Sequence, residues 1–291
     1  MLDTRVVLAT LVIYKVILVL IGFWAQRRVN SEQDFFLANR QLGPWVAAIS
    51  YAASAASAWT LLGMSGLAYS IGLSALWVAA GAVAGCAVSW FVLAPRIWQL
   101  GGEQRLFSAT ELIAAGTGDT RRNHLVVLIS IIILFCFVVY IASQFQGAGN
   151  TFASTFDLDA SESIILGGTI ILIYTLLGGF WAVSVTDTLQ GLLMILTAIL
   201  LPLAAVIELG GPVGFYQALM ASGDNGYTRL TGNSTGLVAL GAVVGSLSVG
   251  LSSLGQPHLV ARFLALRDAR ALRKGQLIAT GWYAIVFFGM C

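Results

Sequence analysis

The sequence predicts an all-α polytopic membrane protein, and three observations carry that prediction. Of its 291 residues, 58% are hydrophobic and only 10% are charged, against roughly 25% charged in soluble domains. The apolar residues fall in blocks of about 20, the length that crosses a bilayer core as a helix; a β-barrel would show short alternating segments instead. The mean hydropathy is +0.88, and the basic residues separate by loop once the blocks are taken as spans.

Eight spans are expected, over residues 6–25, 45–69, 73–94, 125–148, 163–181, 185–207, 235–256 and 276–291. The first is too long for the core of a secretory signal, and no small-residue cleavage pattern follows it. Lys15 lies inside it, snorkelling or facing the bundle. The second contains Ser50, Ser54, Ser57 and Thr60 among Ala52, Ala53, Ala55, Ala56 and Ala58. Such a helix packs closely and can open its backbone to a small solute or ion. Trp59 sits in this run as a pocket floor or a packing aromatic.

Between the third and fourth spans, Ser108 and Glu111 have the spacing of a short capped helix. The fourth span carries Tyr140, Ser143, Gln144 and Gln146, polar groups that must face protein or water. Asp187 falls where the sixth span is expected to start. One reading makes it a helix-capping acid; the other makes it a contributor to a cation site. The stretch 208–234 is glycine-rich, including Gly210 and Gly223, with a short helix expected over 213–221.

The seventh span holds a second small-residue cluster, Gly245, Ser246, Ser248, Gly250, Ser252, Ser253 and Gly255, ended by Gln256-Pro257-His258. Proline breaks the helix there, and glycines and serines before it let the backbone unwind where protein or water covers it. Two interrupted helices at matching places in two repeats mark a midplane binding site. The eighth span runs into Cys291 without a polar anchor, as expected of a chain cut inside a helix.

With the N-terminus outside, the inside loops hold twelve of the 15 basic residues, Arg40 and Arg262 among them, and the outside holds two, Arg5 and Arg229. This split supports the span count and the orientation. The outer loop 149–162 agrees, with Asp157, Asp159 and Glu162 and no basic residue. Cys86, Cys136 and Cys291 lack metal-type spacing and are expected as small buried residues. Neither a zinc-protease, nucleophile-elbow nor phosphate-loop pattern occurs, so an enzyme is not expected. His124 and His258 are placed at membrane edges.

Three stretches resemble one family. They are Asp34-Phe35-Phe36-Leu37-Ala38-Asn39-Arg40 with Leu42-Gly43-Pro44, the run from Gly178 to Gly191 (GGFWAVSVTDTLQG), and Gly255-Gln256-Pro257-His258-Leu259-Val260-Ala261-Arg262-Phe263. The first two resemble sodium/solute symporters, the third the sodium/proline branch. The resemblance implies a LeuT-like inverted-repeat bundle, truncated here to about eight of thirteen spans: an extra first helix (6–25), a first five-helix repeat (45–207) and the start of a second (235–291). It implies cation-coupled symport, Na+ or H+, of a small organic solute such as an amino acid. No organic cofactor and no nucleic acid are expected, and the lipid bilayer is the surroundings.

By the same resemblance, Ala53 and Ala56 offer backbone oxygens to the cation with Asp187 nearby. Ser54, Ser57, Trp59 and Tyr140 face the solute, capped by Val249, Ser253 and Pro257. The family's acidic residue in the second span is replaced by Ala55, and its seventh-span aromatics by Val249 and Ser253. These departures put sodium coupling and proline specificity in question. They also favour a second reading, a solute-sensing input domain of a membrane histidine kinase. A third reading is an inactive truncated product, because half of such a bundle leaves its polar faces to lipid.

Overall fold

A computed structural model describes residues 4–57, 59–117, 119–156, 159–221 and 226–291. Ala58, Asp157 and Gly223 lie outside the described residues. The described chain is helical throughout, with one isolated backbone bridge between Leu42 and Leu266. Among the described residues, five helical stretches are long and apolar enough to cross a membrane: 5–26, 64–103, 121–156, 160–208 and 236–253. The protein is a multi-pass membrane protein.

The first span is α1 (Thr4–Gln26). A short α2 (Glu32–Leu37) follows, capped by the Ser31 hydroxyl, which accepts from Asp34 N. The second span is two helices, α3 (Pro44–Ala55) and α4 (Met64–Ile71), with a wide turn over Trp59–Gly63 between them. The third is α5 (Leu76–Val88), continued through a π-turn at Ser89–Leu93 into α6 (Ala94–Glu103). In α7 (Ala109–Ala114) Ser108 accepts from Glu111 N at 3.2 Å while the Glu111 carboxylate accepts from Phe107 N at 2.7 Å. This is the expected reciprocal cap, with the carboxylate reaching one residue further back.

The fourth span, α8 (Asp119–Phe156), is 38 residues long and extends past its expected limits at both ends. The fifth and sixth spans are two helices that meet at Gly179 without a loop between them. Together they make up α9 (Ala160–Glu208), 49 residues in two helical arms kinked at Gly179, whose φ of 52° and ψ of −143° break the helical path near the expected boundary at 181–185. A Cβ there would lie 2.6 Å from the carbonyl oxygen of Phe35 in α2, so only glycine fits. Then come α10 (Pro212–Ala221), close to the expected short helix, and the broken seventh span: α11 (Gly236–Ser248), a tight turn over Val249–Ser253, and α12 (Pro257–Leu264). The last element is α13 (Ala269–Gly289).

An aromatic knot holds the centre. Tyr51 of α3 stacks on Phe263 of α12 with centroids 5.1 Å apart, and Trp90 meets Phe263 edge-on at 5.0 Å. Trp282 of α13 donates its indole N–H to Gly191 O of α9 at 3.0 Å, satisfying a polar tip that burial would otherwise strand. On the side of the molecule where α12 ends, Leu42 N donates to Ala265 O and Arg267 N to Leu42 O, tying the entry of α3 to the exit of α12. Helix α5 touches the end of α11 and the turn after it backbone to backbone. A Cβ on Gly85 would stand 2.1 Å from Gly250 O, and one on Gly250 would stand 2.0 Å from Gly81 O. Of the cysteines, Cys86 is buried as expected, but Cys136 and Cys291 are exposed.

Candidate functional site

Both interrupted helices open toward the same place. At the first break, Ala56 leaves helical geometry (φ −73°, ψ 108°) and Ser57 takes over the loose ends. Its hydroxyl accepts from Trp59 N at 3.2 Å and its carbonyl from Thr60 N at 2.9 Å. At the second break, Gly255 adopts φ 81° and Pro257 starts α12, where its missing N–H costs nothing. Helix ends in mid-bundle expose partial charges, negative at the end of α3 and positive at the start of α12.

A cavity of about 250 Å³ lies between the breaks. Ser57, Trp59, Tyr140, Val249 and Ser253, expected from the sequence to face solute, all line it, together with Ala55, Thr60, Ser252, Gln256, Tyr283 and Phe287. None of its described lining residues is charged. Ser54 and Pro257 are not among the lining residues. Ala53 points instead at α9, where a Cβ on Gly191 would meet its methyl at 3.2 Å. Of the polar group on α8, Tyr140 alone reaches the cavity. Gln146 bonds Asn150 and Ser143 bonds Tyr140 O, each within its own helix.

One turn before the first break lies a buried ionic cluster. The Arg262 guanidinium donates to the Asp187 carboxylate at 2.6 Å and to the Ser50 hydroxyl at 3.2 Å. The Ser50 hydroxyl in turn donates to Asp187 at 3.2 Å, and Arg262 also bonds His258 O. Arg262 is 3% exposed, and its guanidinium carbon stands 5.3 Å from the centre of the Phe180 ring. The cluster joins α3, α9 and α12, so one element of each half of the site meets there.

This geometry corrects three expectations. Asp187 does not cap a helix start, because α9 runs through it unbroken and the bend lies two turns earlier at Gly179. Arg262 is not a loop residue; it is buried within α12. His258 is not at a solvated edge: its ring is half-buried, edge-on to Phe137 at 5.4 Å and stacked on Tyr140 at 6.4 Å. The Arg262 signal was present in the sequence, as one cation inside the apolar run Leu259 to Leu266. An acid in the membrane requires such a partner.

Comparison with known proteins agrees with this architecture. The family model described as the sodium:solute symporter family matches residues 35–291. A sodium/proline symporter of Staphylococcus aureus (strain JH9) is 31% identical over 281 residues, which are 95% of this chain and 53% of that protein. The same protein from strain NCTC 8325 gives the same figures, 31%, 95% and 53%. The chain therefore spans about half the length of the curated relatives it matches. A solved structure described as the substrate-bound outward-open state of a Na+-coupled sialic acid symporter superposes with a TM-score of 0.79 at 19% identity. That superposition covers 97% of this chain and 59% of that one, and it shows a shared LeuT-like fold. Two broken helices around one cavity, the family match over most of the chain and the 31% identity lead to one statement: the chain belongs to the sodium:solute symporter family.

Proposed function

We propose that the complete protein is a sodium-coupled symporter of a small organic solute of amino-acid size. The observation that carries this reading is the charge-free cavity of about 250 Å³ held between two helix breaks. Its volume is below the range of about 300–1,000 Å³ typical of drug-sized sites. Opposed helix ends suit a zwitterion: carbonyls at the end of α3 for an ammonium, N–H groups at the turn after Ser57 and at the next helix start for a carboxylate. Hydroxyls of Ser57, Thr60 and Ser253 supply orientation. The proline and sialic acid named for the relatives are solutes of those proteins.

In this proposal the carbonyls of Ala53 and Ala56 serve the coupling cation, which needs oxygen ligands rather than formal charge. Asp187 acts beside them, releasing Arg262 as the cation arrives. Ion and solute are then coupled because both favour the conformer in which the breaks are wrapped around them. The N-terminus faces outward, residues 45–207 form the first repeat and 235–291 begin the second. The test is uptake into proteoliposomes of the complete protein under an inward sodium gradient, a proton gradient or neither. Accumulation of one amino-acid-sized solute under sodium alone is the expected result; accumulation without any gradient dependence overturns it. Asp187→Asn is expected to raise the sodium concentration for half-maximal uptake, and an unchanged sodium dependence removes Asp187 from the cation path.

A specific observation favours one other reading. Ala55 lines the cavity where the proline-transporting relatives resembled here carry an acid. A bundle that binds without accumulating, attached to a kinase domain, would be a sensor. Solute binding without gradient-driven accumulation decides for it.

A further inference from the structure

A second cavity, of about 620 Å³, opens between α1, the end of α8 and the start of α9. Its walls are hydrocarbon, with Leu11, Phe152, Phe156 and Leu166 among them, and only two charged residues interrupt them: Lys15 and Glu162. These two are not paired with each other; the ion pairs among the described residues are Arg262–Asp187 and Arg267–Asp268. Lys15 is half-buried midway along the 23-residue α1. A cation at that depth without an anion is costly.

The two charges have a fixed order. Helices α1 and α9 run parallel here, because a Cβ on Gly22 would lie 2.8 Å from the Tyr174 Cβ and one on Gly178 would lie 2.7 Å from the Ala25 Cβ. Extending that register sets Glu162 level with Thr10, so that Lys15 lies about 7 Å deeper along the axis. The wall thus shows an acid nearer the helix starts, a base below it and hydrocarbon around both. A phospholipid with a primary-amine head group has the same order, with the ammonium outermost, the phosphate beneath it and the acyl chains after that.

We propose that this cavity binds one zwitterionic aminophospholipid, phosphate on Lys15, ammonium on Glu162 and one acyl chain along Val19, Leu20 and Ile170. The alternatives match less well. An anionic glycerol head group satisfies Lys15 with its phosphate but offers Glu162 neutral hydroxyls in place of a cation. A choline head group is methylated and has no N–H to donate to a carboxylate. The site stands apart from the cavity at the helix breaks and does not depend on which solute is carried.

The experiment is retention of lipid by the full-length protein, purified in mild detergent and offered equal amounts of phosphatidylethanolamine, phosphatidylcholine and phosphatidylglycerol. Native mass spectrometry counts what stays. Phosphatidylethanolamine is expected to stay at one per protein, favoured about tenfold over either competitor. Lys15→Met and Glu162→Gln should each remove most of that preference, and Lys15→Arg should keep it. Equal retention of the three lipids, or an unchanged preference in both Lys15→Met and Glu162→Gln, overturns the proposal. So does a cysteine placed at Leu166 that crosslinks to a second copy or to another segment of the protein, since the cavity is then filled by protein. If Lys15→Met does not fold, Glu162→Gln, at the cavity rim, decides alone.

Discussion

The two helix breaks reach the same architecture by different local means. At the first, no glycine or proline is present between Ala55 and Ser57, and the helix is interrupted by one serine that binds two downstream N–H groups. At the second, Gly255 in the left-handed region and Pro257 at the helix start set the interruption in the backbone itself. The first break is therefore held by hydrogen bonds that a cation or solute can replace. The second is held by covalent geometry, and it carries Arg262 to Asp187. One side of the cavity is adaptable and the other is fixed.

The largest expected effect tests the fixed side. Asp187→Ala leaves the Arg262 guanidinium buried without its carboxylate, a loss of about 3–5 kcal/mol, read as a lower melting temperature in detergent. Replacing both residues together with apolar ones of similar volume should recover much of it; additive losses would deny that the two act as a pair. Next comes Gly255→Ala, which forces a methyl-bearing residue to φ 81° at a cost of about 1–2 kcal/mol. Gly245→Ala is its control, because no atom stands within 4 Å of a Cβ there. Ser57→Ala tests the adaptable side and should cost about 1 kcal/mol, as for a lost helix cap. A loss from Ser57→Ala as large as that from Gly255→Ala would erase the contrast between the breaks.

The smallest effect lies in the turn between α12 and α13. The exposed Asp268 caps α13 by accepting from Ala271 N at 2.6 Å, and that bond holds its carboxyl below the ordinary value of 3.8. A lowered folded value means the cap's stabilisation is complete above the unfolded value and fades as pH falls through the folded one. Melting measured between about pH 5 and pH 2 should show a slightly steeper fall for the native protein than for Asp268→Asn. Parallel curves would show that the cap contributes nothing.

The sequence was informative where local chemistry decides the structure. Ser108 with Glu111, the glycine–proline break and the clustered small residues of the second span each act over a few neighbours, and each is found where expected. The cavity residues Ser57, Trp59, Tyr140, Val249 and Ser253 followed from the resemblance. What stayed hidden depends on distant packing. Asp187 sits in a motif that reads locally as a cap, and its partner is 75 residues away. A break between the fifth and sixth spans was expected at 182–184, but its exact place at Gly179, against the Phe35 carbonyl of α2, is set by packing from outside α9. Arg262 was counted with the loop cations because charge alone, without its neighbours, says nothing of depth.

The glycine contact between α5 and the end of α11 with its following turn has a consequence for how this protein can change over time. At Gly81, Gly85 and Gly250 the obstacle to any larger residue is the facing segment's main chain. A bulky side chain can be accommodated by shrinking its neighbour, but a carbonyl cannot be shrunk by any substitution. No compensating mutation elsewhere in either helix can therefore rescue a change at these three positions. They are dead ends for drift, and a library of variants selected for folding should return glycine at all three while the lipid-facing positions around them diversify freely.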